Sequence, residues 1–132
     1  MSLIQSHRVR ALNDGVSFMA SDPIKILIVD DDERVLIELE RLLEGEGYST
    51  ATAWSGREAL ALSEKARFDL LLLDEHVGDV DFEALRRGLA LRQPDAFQLL
   101  MHTRKGRPNS NGAICKWEHA DVKAKIRGVL AA

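Results

Sequence analysis

Two apolar runs that stop on acids constrain this chain more than any other feature. Residues 24–32 read IKILIVDDD and residues 68–75 read FDLLLLDE. Each run is too short for a helix, and the second is almost purely apolar, the pattern of a strand covered on both faces. A sheet built around such strands needs helices on both of its sides.

The sequence between the runs supplies them. Val35, Leu36, Leu39, Leu42 and Leu43 recur at helical spacing, with Gly45 and Gly47 beyond, which predicts a helix over about Glu33 to Glu44. Tyr48 to Ala53 is a short strand-capable run. Ser55 stands as an N-cap with Glu58 at the capping-box position, and Ala59, Leu60, Leu62 and Ala66 give that helix its apolar stripe. Phe82, Leu85, Leu89 and Leu91 mark a third helix to about Gln93, where Pro94 blocks continuation. Phe97 to Met101 is a fourth strand, and Val122, Ile126, Val129 and Leu130 mark a closing helix.

Alternating strands and helices specify an α/β fold, a parallel sheet with helices on both faces and right-handed crossovers. Residues 23–132 form this single domain. Residues 1–22 read as an N-terminal extension outside it, open to a partly vector-derived origin; no output domain is read after the last helix, which leaves both a stand-alone regulator and a piece of a longer protein open. Between Thr103 and Gly112 lie only residues 104–111, rich in Gly, Pro, Asn and Ser. A full crossover takes at least about 10–12 residues. The fourth helix of a five-stranded sheet is therefore expected to be shortened or absent, which leaves five strands and four regular helices. A fifth strand is expected at about Gly112 to Cys115, with its register open.

A net charge of −3 leaves no basic excess to neutralise phosphates, so nucleic acid is not an expected partner of this domain. No apolar run approaches the roughly 20 residues of a membrane span, and no secretory signal is read at the N-terminus, so no membrane association is expected. A lone cysteine, Cys115, excludes an internal disulfide and suits a reducing cytoplasm. Its spacing from His119 is poor for zinc.

In parallel α/β sheets, ligands sit at the carboxyl ends of the strands. Asp30, Asp31 and Asp32 follow the first strand, Asp74 ends the third, and Thr103 follows the fourth. Carboxylates gathered at one edge repel each other and call for a cation. Mg²⁺ suits a few carboxylate oxygens and keeps positions for water and a phosphate oxygen. A carboxylate beside it can act as a nucleophile and form an aspartyl phosphate. Asp74, on the central strand, is the natural acceptor, with Thr103 and Lys116 as the hydroxyl and ammonium that would complete the site. Asp32 reads as a helix cap, and Asp79 and Asp81 as the start of the following helix.

The segments ILIVDDDERV, AWSGREAL and FDLLLLDEHVGDVD resemble the receiver domain of two-component response regulators, over about Lys25 to Leu130. The resemblance implies a flavodoxin-like doubly wound sheet of order 2-1-3-4-5. It implies a phosphoacceptor at Asp74 and Mg²⁺ bound directly by Asp31 and Asp74, by Asp30 through water and by the backbone carbonyl of His76. It also implies a switch hydroxyl at Thr103, a phosphate-contacting Lys116, and phosphoryl transfer from a sensor histidine kinase or phosphotransfer protein to alter binding of a downstream protein partner. Such a domain is a signalling module rather than an enzyme.

The chain departs from the family pattern in one region. Phe82 replaces a glycine, and Arg104 replaces the small residue after the switch, where it could gate access to the acceptor. Ala113 replaces an aromatic, which removes the usual coupling of hydroxyl to ring. Trp117 replaces the proline after Lys116, so the orientation of Lys116 is left open. These departures motivate an alternative, a receiver-like interaction domain that no longer switches by phosphorylation. A metal-dependent phosphohydrolase is weaker, because Glu75 is the only further acid just after Asp74.

Overall fold

The computed structural model describes residues 22–104 and 113–131. Five strands and four helices occur among them: β1 (Lys25–Val29), α1 (Glu33–Gly45), β2 (Ser49–Ala53), α2 (Gly56–Ser63), β3 (Leu70–Asp74), α3 (Phe82–Arg92), β4 (Phe97–His102), β5 (Ala113–Cys115) and α4 (His119–Ala131). The sheet is all parallel in the order β2-β1-β3-β4-β5, the expected doubly wound arrangement. The expected N-terminal extension (residues 1–22) and the segment of the shortened fourth helix (residues 104–111) lie, apart from residues 22 and 104, outside the described residues.

Both apolar runs are buried on both faces. Ile26, Ile28, Leu70, Leu72, Leu99, Met101 and Ile114 meet Val35, Leu36, Leu39 and Leu43 of α1 and Val122 and Ile126 of α4. Their strand neighbours Leu27, Val29, Leu71 and Leu73 point the other way, against Ala59 of α2 and Leu85 and Leu89 of α3. Successive side chains of a strand alternate between faces, so a strand between two helical layers must be apolar throughout.

The edge strand β5 keeps a regular parallel register on β4, with Leu100, Met101 and His102 opposite Ala113, Ile114 and Cys115. The ladder continues one residue further, where the Lys116 N–H donates to the His102 carbonyl at 2.9 Å. His102 is itself buried, and neither ring nitrogen has a hydrogen-bond partner among the described residues.

The starts of α1, α2 and α3 are capped by side chains. Asp32 caps α1 by accepting from the Arg34 N–H, and Asp81 caps α3 by accepting from the Ala84 N–H. Ser55 caps α2 through the Glu58 N–H at 3.0 Å, while Glu58 returns an acceptor to the Trp54 N–H at 2.8 Å. Asp79 departs from its expected place. Its carboxylate accepts from the Gly56 N–H at 2.7 Å and the Arg57 N–H at 3.0 Å, so it caps α2, earlier in the chain, rather than starting α3.

The end of α3 carries a buried polar tie. Gln93 donates to the carbonyls of Ser63 and Ala66, both at 2.7 Å, and accepts from the Phe68 N–H at 3.0 Å. It thereby satisfies main-chain groups between α2 and β3 that are shut off from water. Gln93→Leu orphans all three, at about 1–3 kcal/mol for each buried group. Urea unfolding is expected to show a loss of at least about 3 kcal/mol, and a neutral result would mean that these groups reach water.

The Arg34 N–H bond holds the Asp32 carboxyl below its usual value near 3.8. Because its folded pKa is depressed, the stabilisation from its charge is fully present above that value and is lost as pH falls through the lower folded pKa. Melting temperatures of wild type and Asp32→Asn are expected to differ near neutrality and converge in the acid limb. A constant difference down to the acid limit would show that the charge contributes nothing.

Candidate functional site

The acids gather where three strands end. β1 delivers Asp30 and Asp31, β3 ends on Asp74, and Lys116 follows β5. One carboxylate oxygen from each of Asp30, Asp31 and Asp74 lies within 4.8 Å of the others. Asp30, Asp74 and Lys116 are almost completely buried, at 0%, 1% and 4% exposure, whereas Asp31 is exposed. The cluster is therefore closed on the protein side and open at Asp31. A groove of about 430 Å³ lies beside that opening, lined by Asp31, Glu33, Ile37 and Trp54 among others.

Lys116 organises the cluster. Its Nζ donates to Asp30 Oδ2 at 2.7 Å and to Asp74 Oδ1 at 3.2 Å. The ammonium also lies 5.6 Å from the centroid of the Trp117 ring. The β4–β5 ladder aims Lys116, so a tryptophan in the following position does not divert it. Burial works against the ammonium, but the hydrogen bond to Asp30 and the charges of Asp74 and Asp30 outweigh it and hold its pKa above the ordinary lysine value. Burial likewise pushes the Asp30 carboxyl above its usual range, against the opposing bonds from Lys116 and from the Asp32 N–H.

The donor set fits a hard divalent cation. Asp30 Oδ1 accepts from the Asp32 N–H at 2.9 Å and its Oδ2 faces Lys116. Among the described residues, no hydrogen bond engages the second oxygen of Asp74, and the Asp31 carboxylate faces solvent. Three carboxylates against one ammonium leave two negative charges to be balanced when all three are ionised, and oxygen-only donors are what Mg²⁺ takes.

The remaining candidates lie around this cluster. His76 is exposed in the turn two residues after Asp74, and Thr103 and Arg104 are exposed just past β4 at the same sheet edge. Ala113 is buried within β5. The contact of Asp79 with α2 spans 23 positions and leaves no signal in local sequence.

A doubly wound sheet of order 2-1-3-4-5 with buried acids at its carboxyl edge is the CheY-like receiver fold. The chain belongs to the response regulator receiver domain family, whose model matches residues 26–123. It is similar to the transcriptional regulatory protein ZraR of Escherichia coli K12, with 39% identity over 83 residues, 63% of this chain and 19% of that protein. It is equally similar to the transcriptional regulatory protein ResD of Bacillus subtilis, with 39% identity over 83 residues, covering 62% of this chain and 33% of that one. The chain thus spans between a fifth and a third of these relatives. Among solved structures, a CheY-like receiver domain protein from Methanospirillum hungatei matches with TM-score 0.73 and 28% identity, covering 83% of this chain and 95% of that one. A response regulator protein from Burkholderia pseudomallei, solved with a phosphorylated aspartic acid, a calcium ion and citrate, matches with TM-score 0.58 and 29% identity over 73% of this chain and 55% of that one.

Removing the ammonium leaves two buried carboxylates facing each other. Breaking a buried pair in this way costs about 3–5 kcal/mol. Lys116→Met is expected to lower the metal-free melting temperature by roughly 10 °C, and added Mg²⁺ is expected to raise the variant's melting temperature more than wild type's, because a cation bound to the acids replaces the missing charge. Equal Mg²⁺ shifts would mean that ammonium and metal do not share one charge cluster.

Proposed function

We propose that this receiver domain accepts a phosphoryl group on Asp74 and uses it to change its binding to a downstream protein. The observation that carries this reading is the buried Lys116 ammonium shared by Asp30 and Asp74 beside the open carboxylate of Asp31. The likeness to a response regulator that holds a phosphorylated aspartic acid and a calcium ion supports it.

The donor would be a phosphohistidine of a sensor histidine kinase or phosphotransfer protein. An Asp74 carboxylate oxygen attacks the phosphorus, the P–N bond breaks, and the imidazole leaves and takes up a proton. Asp31 and Asp74 would hold Mg²⁺ directly, Asp30 through water, and His76 through its backbone carbonyl. Bound Mg²⁺ supplies Lewis-acid stabilisation of charge on the transferring group. Lys116 sits within reach of the same charge, where a preorganised ammonium is worth far more than in water. Thr103 would donate its hydroxyl to the phosphoryl group, and Arg104 would limit access to it. Such chemistry would suit a cytoplasmic domain. No helix among the described residues is long and apolar enough to cross a membrane.

Mass spectrometry after incubation with acetyl phosphate and Mg²⁺ tests the reading. Wild type is expected to gain one phosphoryl group, and Asp74→Asn none. An unlabelled wild type under saturating donor and metal, or an equally labelled Asp74→Asn, would overturn it. Partner binding that is indifferent to Asp74→Asn and to acetyl phosphate would instead favour a non-switching interaction domain.

A further inference from the structure

The loop after Asp74 runs from Glu75 to the α3 cap Asp81 and carries His76, whose backbone carbonyl is a proposed Mg²⁺ ligand. It is fastened at two places. Val77 is buried in the core face shared by α2 and α3. Two residues further on, Asp79 bridges out of the loop to the first two N–H groups of α2, at Gly56 and Arg57, 2.7 and 3.0 Å away.

This second fastening is built from both sides. Helix α2 presents N–H groups that no intrahelical carbonyl satisfies, at the positive end of its dipole, where a carboxylate is favoured. Ser55 takes the N–H of Glu58 and leaves those of Gly56 and Arg57 to Asp79. Gly56 is buried, and a Cβ there would lie 2.4 Å from Val80 Cγ2 and 3.2 Å from Asp79 Oδ1. The glycine thus makes the close approach of loop and helix possible.

We propose that Asp79 is a positioning residue that latches the post-acceptor loop to α2 and thereby holds the His76 main chain in place for the divalent cation. The inference rests on the reading of Asp30, Asp31 and Asp74 as the Mg²⁺ site. Asp79 touches neither metal nor phosphate. It acts by removing the freedom of the segment that does, as outer partners of metal ligands do, and loss of such partners costs about 10–100-fold in affinity.

Asp81 provides a matched control, because it carries the same charge in the same loop and also caps a helix, but that helix is α3. Mg²⁺ affinity is measured by isothermal titration calorimetry on the full chain, with the metal-free melting temperature of every variant recorded alongside. Asp79→Ala and Gly56→Ala are expected to weaken Mg²⁺ about tenfold or more, while Asp81→Ala changes it less than about twofold even though it also lowers the melting temperature. Asp79→Asn, which keeps one oxygen for the Gly56 N–H, is expected to recover most of the loss. Equal weakening by Asp79→Ala and Asp81→Ala would reduce the effect to charge and overturn the latch. A lowered melting temperature with unchanged Mg²⁺ affinity in Asp79→Ala would overturn it as well. Wild-type binding that ignores Asp31→Asn marks a different failure, that of the metal reading, and the latch falls with it.

Discussion

One buried ammonium holds this sheet edge together. Asp30 and Asp74 end adjacent parallel strands, with carboxylates close enough to repel and too deep to be screened by water. Lys116 bonds to both, from a residue just beyond the edge strand. Without it the first and third strands would close on two uncompensated charges. With it they close on a cluster that is still short of positive charge. Stability and function meet here, since the residual negative charge that makes the fold tolerate the cluster imperfectly is also what attracts a divalent cation.

The framework was legible because its physics is local and repetitive. Short runs such as ILIV and LLLL admit few structures other than strands between two helical layers, and the alternation of strand and helix leaves few topologies. The acids were legible for a related reason, because strand ends of a parallel sheet share one edge, so Asp30, Asp31 and Asp74 had to meet. The capping roles of Asp32 and Ser55 were readable from spacing alone.

What was not legible is long-range and made by main chain. Asp79 looks like the start of the helix that follows it, and only the folded chain reveals that α2 passes closely enough to take its carboxylate. Gln93 looks like a helix end before Pro94, yet it also ties α3 to the segment between Ser63 and Phe68. Trp117 in place of proline leaves the direction of Lys116 open in the sequence, and the preceding strand ladder sets it. In each case the deciding contact lies far along the chain, where local spacing does not show it.

The contact between Lys116 and Asp30 joins residues 86 positions apart. In synthesis Lys116 follows both acids, and it reaches them only once β5 has joined the sheet. A chain still emerging from the ribosome, or one whose edge strand has peeled away, therefore presents carboxylates without their counter-ion. The cluster doubles as a test of completeness: only a molecule whose β5 has joined the sheet holds both acids with their counter-ion in place.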